Sequence, residues 1–136
     1  NHTWSHPVMI GNTPAFMRKQ IEDTDTVIRN LGYTKEIHFR SPHGAKLFVL
    51  QRVLARMKRK NILFDVMVWD WDAPGTHKII KRVMKKVRPG SIILLHDGCG
   101  KREQTVPATD EIITRLKAQG YRFVTISELL ALKKKR

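Results

Sequence analysis

Ile62-Leu63-Phe64-Asp65-Val66-Met67-Val68-Trp69, with a single charged residue in eight, reads as a strand buried on both faces. Ile79, Ile80, Val83, Met84 and Val87 follow at helical spacing, and Pro89-Gly90 closes that helix. Ser91 to Leu95 is then a second buried strand. A strand, a helix and a strand in succession are the unit of a parallel sheet.

The pattern extends in both directions from this unit. Upstream, Met17, Ile21, Thr24, Ile28 and Leu31 form the stripe of an amphipathic helix, with Thr13 as N-cap, Pro14 at the first position and Gly32 just past the end. Ile37 to Phe39 is a short strand, and Leu47, Leu50, Leu54 and Met57 mark another helix. Downstream, Pro107 opens a helix with Ile112, Ile113 and Leu116 inward and Gly120 at its end. Arg122 to Ile126 is a last strand, and Ser127 caps a terminal helix. Alternation of this kind predicts an α/β protein with a mainly parallel sheet, either open or closed into a barrel. In both forms chemistry gathers at the C-terminal ends of the strands. Arg40, Asp70, Asp72, His96 and Asp97 stand at those ends.

The 136 residues suit one domain, and 41% hydrophobic with 28% charged residues is an ordinary globular composition. Against 26 Lys and Arg there are 12 Asp and Glu, a net charge of +14 that favours anionic partners. Nucleic acid, an anionic wall polymer and an acidic membrane surface all meet that requirement. The cations are spread along the chain, from Arg52 to Lys60, from Lys78 to Arg88 and from Lys133 to Arg136, as the solvated faces of helices would be. No aromatic-basic interleaving, helix-turn-helix or zinc-finger pattern accompanies them, which argues against nucleic acid. The single Cys99 excludes an internal disulfide framework and a paired-cysteine metal site.

His2 and His6 stand four apart in His2-Thr3-Trp4-Ser5-His6-Pro7, a spacing that lets two imidazoles meet one metal ion. Phe39-Arg40-Ser41-Pro42-His43-Gly44, Asp70-Trp71-Asp72-Ala73-Pro74-Gly75 and Leu94-Leu95-His96-Asp97-Gly98 follow in order. Together with the closing Gly120 to Leu129 stretch, these elements resemble the motifs of the polysaccharide deacetylases, the NodB-type carbohydrate esterases of family 4. The resemblance covers essentially the whole chain. It implies a (β/α) barrel-like fold, incomplete at the N-terminus, of which residues 1–136 are the C-terminal two-thirds of a single domain.

The resemblance also implies roles. His2 and His6 bind a divalent metal, zinc in most of the family, and Arg40 pairs with a catalytic aspartate. His96 is the general acid, and Pro42, Trp71 and Leu94 contact substrate, Leu94 in the acyl pocket. The carboxylate that orients His96 has two candidates. Matching the Asp-Trp-x-x-Pro-Gly spacing gives Asp70, the preferred reading, while matching the preceding aromatic gives Asp72. His43 stands where many relatives carry an aromatic residue and is open to a substrate contact. His38 reads as structural, Asp97 as a cap on local amides, and His77 and Cys99 receive no role. The implied substrate is an N-acetylated amino-sugar polymer, peptidoglycan-like or chitin-like, and the implied location is extracellular or in the cell envelope.

One element of the family is missing. Its adjacent pair of aspartates supplies the base and a third metal ligand, and no Asp-Asp occurs in this sequence. About five strands are counted here where the resembled barrel has seven or eight, leaving edges that call for a further N-terminal segment or a partner fragment. Without one, these residues alone are expected to be inactive, and a non-catalytic basic module that binds anionic glycan or nucleic acid is the alternative.

Overall fold

The structure is a computed structural model that describes residues 1–98 and 100–133, so Cys99 and the basic end of the chain at 134–136 lie outside the described residues. The chain divides into two compact units, residues 1–63 and residues 64–136. Among the described residues, no helix is long and apolar enough to cross a membrane.

In the first unit, helix α1 (Pro14–Asn30) begins where Thr13 accepts a hydrogen bond from the Phe16 amide, with Pro14 as its first residue. Gly32, at a φ of 87°, ends it. The Gly32 amide donates to Arg29 and the Tyr33 amide to Ile28, the paired bonds that need a left-handed residue between them. Helix α2 (Phe48–Arg56) packs on α1. Met9, Met17, Ile21, Phe39, Ala45, Leu50, Val53 and Leu54 form the core.

Two expectations fail here at element ends. Leu31, the last residue of the α1 stripe, is 82% exposed. At 1.5 Å per residue, α1 is about 25 Å long and α2 about 13 Å, so α2 cannot cover the whole of α1. Leu47, expected on the inner stripe of α2, is instead its exposed N-cap, and the buried face is Leu50, Val53 and Leu54. The strand expected at Ile37 to Phe39 is reduced to one parallel bridge between Phe39 and Asn61, although Ile37 and Phe39 are both buried.

In the second unit, strands β1 (Val66–Met67) and β2 (Ile93–Leu94) pair in parallel, Val66 opposite Ile93 and Met67 opposite Leu94. Helix α3 (Thr76–Lys86) makes the crossover between them. It turns Ile79, Ile80 and Val83 onto Ala108, Ile112 and Leu116 of helix α4 (Thr105–Ala118). Burial around β1 alternates rather than covering both faces. Val66, Val68 and Asp70 are buried, whereas Asp65 and Trp69 are exposed, as expected for a strand packed on one face by a helix.

Helix α4 starts two residues before Pro107, which occupies the first turn where its missing N–H costs nothing. Arg122 to Ile126 forms no strand. Helix α5 (Ile126–Lys133) takes up Ile126 directly, and its cap is Thr125 rather than Ser127. The Thr125 amide and hydroxyl both donate to Glu128, and the Glu128 amide donates back to the Thr125 hydroxyl.

Ile79→Ala removes a fully buried side chain from the α3–α4 contact and is expected to cost about 2–5 kcal/mol in urea unfolding. Leu31→Ala, at the exposed end of α1, is expected to stay within about 0.5 kcal/mol of the parent.

Candidate active site

The histidine loop of the first unit is shaped by hydrogen bonds from α1. Gln20, buried on the apolar face of α1, accepts from the Trp4 amide at 3.1 Å, the Ser5 amide at 2.9 Å and the Ser5 hydroxyl at 3.2 Å. The Asn1 carboxamide donates to the Ile21 carbonyl and to Asp25, and accepts from the Thr3 amide. Between these anchors Thr3 and His6 take left-handed backbone, at φ 69° and 53°. For a β-branched residue such as Thr3 that conformation is strained, and strain of this kind persists where surrounding bonds over-determine it. The buried Thr3 hydroxyl has no hydrogen-bond partner among the described residues.

The loop brings imidazoles together. His2 and His6 lie 4.9 Å apart between ring centroids, and His6 lies 4.8 Å from His43. His2 Nδ1 is 2.7 Å from the Arg40 carbonyl, which can only accept, so Nδ1 carries the proton and Nε2 keeps its lone pair free. Burial lowers the His2 pKa, aided by His6 and by the Arg40 charge and opposed by the carbonyl bond. A neutral imidazole with Nε2 free and Nδ1–H on a carbonyl is the form that ligates a metal ion. The donor chemistry of His2 and His6 therefore fits zinc. Among the described residues, no three His, Cys, Asp or Glu side chains are arranged to hold an ion together.

Arg40 follows the Phe39 bridge, and its Nε donates to the Ile62 carbonyl at 3.0 Å. Burial lowers its pKa, and among the described residues no carboxylate pairs with it. A half-buried guanidinium without a counter-ion is costly, and an incoming negative charge is the natural remedy. The turn after it, Pro42–Gly44, is pinned by Asn61. That side chain accepts from the Ser41 amide and donates to the Ser41 hydroxyl and the Ala45 carbonyl. His43, left-handed at φ 53°, is exposed on the turn while Pro42 is buried beneath it.

In the second unit, the tight turn Asp70–Asp72 is flanked by left-handed Trp69 and Ala73, at φ 53° and 47°. The turn sends Asp70 inward, to 0% exposure, and leaves Trp71 and Asp72 outside. Asp70 accepts from the His96 amide at 2.8 Å, from His96 Nδ1 at 2.8 Å and from the Thr105 hydroxyl at 3.3 Å. Of the two candidate aspartates, it is Asp70 that reaches His96. With Nδ1 committed to a carboxylate, Nε2 of His96 is the nitrogen left to exchange a proton with a ligand. Trp71 stands edge-on to that imidazole at 5.1 Å, and Leu94 is half-buried on β2.

Gln20, Asn61, Thr105 and Gln104, whose carboxamide donates to the Asp70 carbonyl, were not expected to take part. Only Gln20 left a trace in the sequence, as a polar residue in phase with Met17, Ile21 and Thr24.

The family model described as polysaccharide deacetylase matches residues 1–62. Peptidoglycan-N-acetylmuramic acid deacetylase PdaC of Bacillus subtilis is 35% identical over all of this chain, which spans 28% of that relative. A peptidoglycan-N-acetylglucosamine deacetylase of Bacillus cereus is 35% identical over 98% of this chain, which spans 63% of it. The solved structure of the Bacillus subtilis peptidoglycan deacetylase superposes with a TM-score of 0.88 over all of this chain and 64% of its own. A family 4 pseudoenzyme from Bacillus anthracis, 32% identical, superposes at 0.85 over 96% of this chain and 45% of its own. These likenesses give the fold class as α/β, of the (β/α) barrel-like NodB type.

Gln20→Ala leaves the Trp4 and Ser5 amides without acceptors. Hydrogen exchange at those two amides is expected to accelerate markedly, while amides in α4 keep their parental rates.

Proposed function

We propose that this chain, which belongs to the polysaccharide deacetylase family, contributes metal ligands and a proton donor to a hydrolase that removes N-acetyl groups from the amino sugars of a cell-wall polymer. The bond between His96 and the wholly buried Asp70 carries this reading. A buried carboxylate fixed on a half-buried imidazole is the arrangement of a general acid rather than of a surface ion pair. Relatives named as peptidoglycan and chitooligosaccharide deacetylases support the substrate class, with a site in the cell envelope or outside the cell.

His2 and His6 would hold the metal, zinc in this reading. When bound, the metal supplies polarisation of the amide carbonyl and a water of lowered pKa. Arg40 presents the charge that keeps a neighbouring carboxylate ionised. Asp70 fixes the tautomer of His96, so that Nε2 can deliver a proton to the amine nitrogen as the C–N bond breaks. Pro42, Trp71 and Leu94 are the proposed substrate contacts. The base that the family takes from an adjacent aspartate pair is not encoded in these 136 residues, so they alone do not complete the reaction.

The second reading is a domain that binds glycan without turnover. The likeness to a pseudoenzyme favours it. Acetate release from N-acetylated peptidoglycan and from chitooligosaccharides, measured on a fusion in which a relative's segment carrying the aspartate pair precedes residue 1, separates the two readings, since zinc binding by that fusion without acetate from either substrate leaves the binding role.

His2→Ala and His6→Ala are each expected to weaken zinc binding in equilibrium dialysis by more than the roughly 10–100-fold that loss of an orienting partner costs. Unchanged zinc affinity in both would remove them as ligands. In that fusion Asp70→Asn is expected to lower kcat for acetate release by about 10²–10⁴-fold. Asp72→Asn should stay near the parent, and a reversed order would assign the orienting role to Asp72.

A further inference from the structure

The two imidazoles of the histidine loop are held in different ways. His2 is fixed by its own hydrogen bond, from Nδ1 to the Arg40 carbonyl at 2.7 Å. The exposed His6 ring makes no hydrogen bond among the described residues. Gln20 fixes the Trp4 and Ser5 amides just ahead of it, but those bonds act on the backbone and leave the side-chain torsions of His6 free. A histidine that ligates a metal ion ordinarily has its ring oriented by a further partner, because a ring that must be immobilised on binding loses affinity.

The rings that meet His6 are imidazoles. His2 stands edge-on to it with planes at 65°, and His43, from another segment of the chain, stands edge-on at 4.8 Å with planes at 69°. Edge-to-face contact at such a separation is a favoured arrangement of ring pairs. His43 is held there by its surroundings. Its backbone is left-handed at φ 53°, a conformation that glycine adopts far more readily. Three hydrogen bonds from Asn61 brace the turn, and the Ser41 hydroxyl donates to the Ala45 carbonyl at 2.8 Å beneath it. The His43 ring makes no hydrogen bond among the described residues, and the ring contact it does make is with His6.

We propose that His43 is a positioning residue for His6: its ring, aimed by the turn that Asn61 braces, holds the His6 imidazole in one orientation before any metal arrives. The proposal rests on the reading of His6 as a metal ligand and adds what orients that ligand. The contact uses the His43 ring and not its nitrogens. Among the described residues no three His, Cys, Asp or Glu side chains are placed to hold one ion, so His43 does not stand as a third ligand beside His2 and His6. When the competent orientation of a ligand is populated only in part, affinity falls by that fraction. Removing the His43 ring therefore acts on zinc through His6 alone.

The test combines zinc affinity in equilibrium dialysis with carbon relaxation at the His2 and His6 rings of the zinc-free protein. His43→Ala is expected to weaken zinc binding about tenfold, the scale of losing an orienting partner. It should also raise the mobility of the His6 ring while the His2 ring, held by Arg40, keeps its parental relaxation. His43→Phe retains an aromatic ring without nitrogens and is expected to restore both readouts. Both variants keep a β-carbon on the same left-handed backbone, so neither relieves the turn. Zinc binding as weak in His43→Phe as in His43→Ala would make a nitrogen of His43 the active group and overturn the proposal. Parental zinc affinity and parental His6 mobility in His43→Ala would overturn it as well. A loss of zinc in His6→Ala with none in His43→Ala sinks this proposal alone, whereas parental affinity in His6→Ala removes the ligand reading and the proposal together.

Discussion

A carboxylate with no exposed surface must be given partners from all sides, and much of the second unit is arranged to do this for Asp70. An unpaired buried charge is among the most expensive features a small fold can carry. Two left-handed residues, Trp69 and Ala73, bend the chain so that the side chain points inward. The end of β2 brings up the His96 amide and imidazole, and the start of α4 brings the Thr105 hydroxyl. The register of β1 against β2 fixes where the strand ends fall, and the α3–α4 packing fixes where α4 begins. Satisfying the charge and aiming the imidazole are one structural task.

Backbone strain is distributed in the same way. Among the described residues, the left-handed non-glycine residues other than Lys58 are Thr3, His6, His43, Trp69 and Ala73, all within or beside the candidate site segments. Such conformations survive only where the surroundings over-determine them. In the first unit those surroundings are carboxamides: Gln20 and Asn1 under the histidine loop, Asn61 under the Pro42–Gly44 turn. Carboxamides suit this work because each can donate and accept together without bringing a charge that would compete with the site.

The helices were legible in the sequence because their signals are local. Thr13, Pro14 and Gly32 bound α1, and the apolar spacing of α3 matches its buried face. Strands were less so, because a strand is defined by its neighbour. The apolar run from Ile62 to Trp69 pairs over Val66 and Met67 alone, and Arg122 to Ile126 pairs with nothing among the described residues. The candidate site was legible as ordered motifs, and the spacing around Asp70 and Asp72 left open which of them meets His96, a contact that the turn geometry gives to Asp70. Its supports were hidden, since nothing in the sequence says that Asn61 reaches back across twenty residues to Ser41.

The dependence of the histidine loop on Gln20 bears on how such a chain can change length over evolution. Residues 10–12 lie between the buried Met9 and the cap Thr13, and an insertion there leaves both ends of the Gln20 contact where they were. An insertion inside α1 ahead of Gln20 is another matter, because one added residue rotates everything before it by about 100° relative to the rest of the helix. Either the carboxamide leaves the loop or Met17 leaves the core. The stretch between Met9, held in the core, and Thr13, which caps α1, is therefore free to drift in length, while the first two turns of α1 are held in phase by a demand that arises outside the helix.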